Sequence, residues 1–294
     1  VLTAMPEAAP FALGAAFCFA LALVANRVAL RHMSTIAGAT VSTPAVTLAL
    51  WLLAPWLLDT QAAQAGAIVI FAAIGLLFPA AVTLMMYEGN TRLGPTLTAT
   101  VSSTTPLFAF VAALVLLGET LSWRVALATA MIVCGIMLLS WQRHAIVAAA
   151  ERMRAADLLF PSGAALVRAV SQVALKFGFA IWPSAYAATL IGYTVSSLVI
   201  LGANRVAARR QRLVYTSRGA AWFLLVGAGN GSAMLLMYMA LERGEVTLVA
   251  PIVASYPLLT LLLSALLLGE ERHSRLQYAG MALTVAGVVL CILR

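Results

Sequence analysis

Ten carboxylates are available to this chain for acid–base chemistry, and their positions decide what it can do with them. Glu7, Asp59, Glu88, Glu119, Glu151, Asp157, Glu242, Glu245, Glu270 and Glu271 all fall at the ends of apolar runs or between them. His32, His144 and His273 do the same. Catalysis or metal binding needs such groups converging in a sheltered pocket. No apolar run holds one in its interior, and Cys18, Cys134 and Cys291 have no metal-type spacing. The expectation is therefore no catalytic residue, no metal and no cofactor, which disfavours an intramembrane enzyme. A proton-coupled carrier also usually needs such a carboxylate or imidazole deep in the membrane. Its absence points to a facilitator or exchanger driven by the gradient of the solute itself.

What remains inside the runs is binding chemistry. Arg168 is the one basic residue placed near the middle of a run. If its helix starts near Leu158, Arg168 lies ~15 Å along it at ~1.5 Å per residue. An unpaired charge at that depth costs at least ~2.5–3.5 kcal/mol. It could meet a carboxylate or phosphate on a solute. The alternative is snorkelling, with Pro161 as the true start of the helix. Gln172 is one turn further on and Ser171 is beside it, while Asn26 takes the matching place in the first half. Met86-Tyr87 and Met237-Tyr238 offer adaptable thioethers and phenols, or else core filling. The run Thr98 to Thr105, with Ser102 and Ser103, precedes Pro106, and Ser255-Tyr256 precedes Pro257. These hydroxyls read as a polar wall beside a hinge, or as groups bonding back to their own helix. Val226-Gly-Ala-Gly-Asn-Gly-Ser232 surrounds Asn230 with glycines, and Pro79 stands at the aligned place. Either the helix is loosened there around a cavity, or small residues let helices pack closely. Glu119 and Glu270 follow glycines in tight turns and suit helix capping or a gate.

Lipid is the solvent that must surround the elements holding these residues. Hydrophobic residues make up 63% of the chain and charged ones 10%, with a mean hydropathy of +1.00. Ten runs are long enough to span a bilayer: about 11–31, 36–58, 66–88, 95–117, 122–141, 158–181, 184–204, 219–241, 246–268 and 275–293. They are continuous rather than alternating, so the expected class is all-α, a polytopic membrane protein, and not a β-barrel. The first run lacks a basic segment before it, so no cleaved signal peptide is expected. The six tryptophans mostly fall near span ends and read as interfacial anchors.

The runs repeat. Thr96 to Arg124 and Thr247 to Arg275 share one layout, with Pro106 and Pro257, Gly118-Glu119 and Gly269-Glu270, and Arg124 and Arg275 each 151 residues apart. Val28-Ala-Leu-Arg31 returns as Val173-Ala-Leu-Lys176. The chain thus divides into residues 1–141, a linker at 142–156, and residues 157–294. Five spans per half is an odd number, so the second copy enters from the opposite side as an inverted repeat. The linker reads as a short amphipathic helix or a solvated connection. Asn204 to Arg218, with Arg205, Arg209, Arg210, Arg212 and Arg218, reads as a basic loop. Thirteen of the 18 basic residues lie on the side of the loops after odd-numbered spans and four on the other. By the positive-inside rule the thirteen face the cytoplasm and both termini face outward. The net charge of +8 is thus a matter of orientation, and no nucleic-acid partner is expected.

Pro106, Gly118-Glu119 and Gly135, answered by Pro257, Gly269-Glu270, Gly280 and Gly287, resemble the drug/metabolite transporter superfamily in its EamA-type branch, which includes exporters of aromatic amino acids. Arg31 and Lys176 match the basic residue common at the end of each half's first span. The resemblance covers nearly the whole chain. It implies efflux of small metabolites by alternating access in a bacterial inner (plasma) membrane, as a monomer or homodimer. Its partners would be a small-molecule substrate and the lipid bilayer. Amino acids are the favoured solutes. A nucleotide-sugar or sugar-phosphate exchanger is the rival, and it would be expected to place more than one cation in the membrane. A receptor or structural module is disfavoured by the duplication.

Overall fold

The computed structural model describes residues 5–61, 63–120, 122–140, 154–210, 214–268 and 274–293, which are helical almost throughout and contain no strand. Lipid offers no partner for an unpaired N–H or C=O, so continuous apolar runs must close their own hydrogen bonds as helices. In chain order these are α1 (Met5–Ala29), α2 (Thr35–Leu57), α3 (Ala65–Gly75), α4 (Val82–Ser102), α5 (Thr105–Ala112) and α6 (Trp123–Leu139). The second half holds α7 (Leu159–Ile181), α8 (Ala185–Arg210), α9 (Ser217–Arg243), α10 (Val246–Ala254), α11 (Tyr256–Leu268) and α12 (Arg275–Ile292). Polar residues set several starts. Thr216 Oγ1 accepts the Gly219 N–H at 3.0 Å, and Ser274 and Gln277 close a reciprocal box of 3.2 and 2.8 Å. Among the described residues nine helical runs are long and apolar enough to cross a membrane. The tenth span is the shorter α6, of 17 residues.

Three spans are broken, and each break has a local cause. In a regular helix the Gly75 carbonyl would accept from the N–H of residue 79, but Pro79 has none. A π-helical turn over Leu76–Ala81 intervenes, with Phe78 extended at φ −136° and ψ 124°. Ser196 Oγ of α8 also donates to the Gly75 carbonyl, at 2.6 Å. The other two breaks are copies of one another. Thr104 and Ser255 leave the helix with ψ of −6° and −3°. Each turns its hydroxyl back to the carbonyl three residues earlier, Val101 and Ile252, at 2.7 Å. Pro106 and Pro257 then sit second in α5 and α11, where a missing N–H costs nothing. Gly94, at φ 78°, makes the sharp bend within α4 where the third span ends and the fourth begins. Glycine alone takes that conformation without strain.

The packing follows the duplication. α1 runs along α9, and its counterpart α7 runs along α3 and α4. α2 packs on α8, α5 on α10, and α6 on α12. Exchanging the halves maps the α1–α9 pairing onto that of α7 with α3 and α4, and the α2–α8 and α6–α12 pairings onto themselves, as a two-fold relation between inverted five-span units requires. Close approach depends on glycine. A Cβ on Gly135 of α6 would lie 2.8 Å from the Gly280 carbonyl oxygen of α12. A core of rings joins the halves: Phe71 lies 5.8 Å from Phe179 and 6.3 Å from Trp182. Leucines such as Leu52 and Leu266 point outward at 72% and 80% exposure, as a lipid-facing surface should.

Several sequence readings change. The glycine-rich stretch around Asn230 is not loosened: α9 is continuous from Ser217 to Arg243. Its glycines are there for contact, Gly227 against Ser42 and Gly231 against Val46. Trp182 is no interfacial anchor but a core residue, 3% exposed. The region after Asn204 is not all loop, since α8 continues to Arg210. Alanine and arginine, both good helix formers, carry it on. Most of the linker, residues 142–153, lies outside the described residues.

Candidate functional site

Arg168 stands nine residues into α7, in a helix that begins at Leu159. Pro161 lies inside the first turn and does not mark the start. The guanidinium is half-buried and reaches across to the first half, with Cζ 5.2 Å from the centroid of the Phe78 ring. Phe78 lies near the middle of the helical run Ala65–Gly94, so the charge is at the level of the break in the third span. Among the described residues Arg168 forms no ion pair and no hydrogen bond. A ring face returns ~0.5–2 kcal/mol, less than the ~2.5–3.5 kcal/mol that burial of the charge costs.

One turn along the same face, the Gln172 side chain is buried. Its Nε2 touches Met237 Sδ at 4.0 Å, and its Oε1 has no partner among the described residues. Another turn brings Lys176, whose Nζ donates to the carbonyls of Leu241 at 2.8 Å and Gly244 at 3.1 Å, at the end of α9. Lys176 therefore lies inside the helix and does not belong to an outer loop. The spacing Arg168, Gln172, Lys176, at i, i+4 and i+8, could have shown this face. Its carbonyl partners come from 65 and 68 residues away and could not be read.

The other proposed site residues separate into groups. Ser171 leaves the face and donates to its own Val167 carbonyl at 2.7 Å. Ser102 Oγ donates to Met86 Sδ at 3.0 Å, so these two meet across the Gly94 bend. Ser103 bonds back to Thr100 and Ser255 to Ile252. The hydroxyl clusters therefore belong to the helix breaks more than to an open polar wall. Tyr238 is a core residue, 1% exposed and edge-on to Phe179 at 6.5 Å, with no partner for its hydroxyl among the described residues. Tyr256 lies 6.0 Å from the Phe19 ring. Asn26 and Asn230 are half-buried, on α1 and α9. Pro79, Pro106 and Pro257 lie at the three breaks. The Tyr87 side chain and Glu270 lie outside the described residues.

Glu119 caps a helix, but not the one that follows it in sequence. Its two carboxylate oxygens accept the N–H groups of Val246 at 2.8 Å and Thr247 at 2.9 Å. These are the first residues of α10, in the other half. A carboxylate on two open donors at a helix N-terminus is a charge-assisted tie.

The arrangement suits binding. Along one face of α7 it lines up an under-compensated cation, an amide with a spare acceptor and an ammonium already held by carbonyls. The profile of the EamA-like transporter family matches residues 7–141 and again residues 156–293. The fold superposes on that of a solved crystal structure, described only as that of a protein, with a TM-score of 0.80 and 16% identity. That alignment covers 98% of this chain and 97% of the other. Such identity speaks to the fold alone. No curated protein matches the sequence.

Proposed function

The chain belongs to the EamA-like transporter family, and from that premise we propose that it exports small singly charged carboxylates, foremost amino acids, aromatic ones among them. Transport of small solutes across a membrane follows from membership of the family. The solute class rests on Arg168. Arg168 is half-buried, its guanidinium lies over the Phe78 ring of the other half, and among the described residues it has no ion pair and no hydrogen bond. A solute carboxylate would supply the missing negative charge by a paired, charge-assisted contact. Gln172 Oε1, without a partner among the described residues, would accept from the solute's ammonium or another donor group.

The rival reading, a sugar-phosphate or nucleotide-sugar exchanger, needs a second cation for the extra charge. Lys176 is within the helix, but its ammonium is taken up by the Leu241 and Gly244 carbonyls. That favours the single charge. The carboxylates near the pathway cap helices or pair with arginines at span ends, which supports a facilitator or exchanger without proton coupling. Alternating access would come from one inverted half rocking against the other.

Counterflow in proteoliposomes tests this, with labelled amino acids, sugar phosphates and organic cations compared side by side. Exchange of amino acids with no dependence on a pH gradient is expected. Preferential exchange of phosphates or cations, or uphill movement that tracks the pH gradient, would refute the reading.

A further inference from the structure

Two arginines outside the binding face repeat one contact at opposite ends of the molecule. Arg92 and Arg243 stand 151 residues apart, each where the third span of its half ends. Each crosses to the other half and lies over a phenylalanine where that half's first span begins. Arg92 Cζ is 4.6 Å from the Phe160 ring centroid, and Arg243 Cζ is 4.8 Å from that of Phe11. Because the halves are inverted, the two contacts close opposite ends of the seams formed by α4 with α7 and by α9 with α1. Neither helix pair requires an arginine over a ring at its end, yet both have one.

From this repetition we infer that Arg92–Phe160 and Arg243–Phe11 are the two alternating seals of the transport path. Each parts while the other holds. This rests on the alternating-access reading of the proposed function. The ends are not held equally. At the Arg92 end the guanidinium also pairs with Glu88 at 3.1 Å and Asp157 at 3.3 Å, but it is 48% exposed, and exposed pairs are weak. At the Arg243 end the arginine's other partners, the Met239 carbonyl at 2.9 Å and Glu242 at 3.5 Å, lie on its own helix. There Glu119 adds its tie across the halves to Val246 and Thr247. The Arg92 end is therefore the one that opens more readily when no solute is bound.

Hydrogen–deuterium exchange of the protein in nanodiscs, without solute, tests the assignment. In Arg92→Gln, amides of residues 157–163 should exchange about two- to five-fold faster, the worth of one exposed cation–π contact. Amides of residues 8–14 and 244–249, at the other end, should exchange more slowly, because each opening at one end excludes opening at the other. Arg243→Gln should give the mirror image. Phe160→Leu and Phe11→Leu should repeat the two arms, which keeps the test intact if an arginine variant does not fold, and Phe→Tyr at either place should preserve the wild-type pattern. Faster exchange at the altered end with no slowing at the far end, or no change at either, would overturn the assignment. With no solute present, an error in the carboxylate reading would leave these results untouched.

Discussion

The Gly75 carbonyl shows how far a single side chain can decide the shape of a span. Pro79 cannot serve it, and Ser196 of a neighbouring helix does so at 2.6 Å. Ser196→Ala would remove this second bond from a buried carbonyl, and a loss of about 0.5–1.5 kcal/mol is expected, measured as a lower unfolding midpoint in detergent. Glu119 makes a comparable tie between halves. Glu119→Gln keeps one acceptor, but turns the other oxygen into an N–H donor facing a backbone N–H and loses the charge at the α10 N-terminus, so a loss of about 1–3 kcal/mol is expected in the same measurement. Arg168 differs in kind. Its charge is buried with less return than it costs, and the proposed function gives that charge a solute to meet. The sequence made Arg168 conspicuous because it stands midway along an apolar run. It could not show Phe78 as its neighbour, since that contact depends on where the third span breaks. Nor could it separate Ser171, which bonds to its own helix, from Gln172, which does not.

At the scale of elements, the offset of 151 residues made much of the architecture legible. Pro106 and Pro257 announced two equivalent breaks, and Thr104 and Ser255 make them with matching hydrogen bonds. The third spans were harder. Pro79 and Asn230 are aligned, yet only the first half breaks there. Glycines around Asn230 are compatible with a loosened helix and with close packing, and only the neighbours Ser42 and Val46 decide between them. Glycine packing is also directional, which allows a sharp test. A Cβ on Gly75 would lie 2.6 Å from the Gly192 carbonyl oxygen, whereas one on Gly192 would meet nothing nearer than the Gly75 Cα at 3.9 Å. Gly75→Ala should therefore destabilise by about 1–3 kcal/mol. Gly192→Ala should be neutral, or stabilising by up to about 1 kcal/mol through helix propensity. Paired unfolding curves of the two variants give the comparison.

For the whole molecule, two inverted five-span units meet along a seam with rings at its core, an arginine over a ring at each end, and Arg168 between. Odd span count and duplication were enough to infer the inversion from sequence. Which side chains face across the seam was not, because helical periodicity carries little information when almost every position is apolar. The central claim is that the charge at Arg168 serves the solute. Counterflow of a labelled amino acid through Arg168→Gln in proteoliposomes tests it most directly, with the unfolding midpoint of the same preparation as a check on folding. The expected result is loss of carboxylate exchange with a midpoint equal to or above that of the wild type, since a costly buried charge has been removed. Exchange at the wild-type rate in a folded Arg168→Gln protein would contradict it.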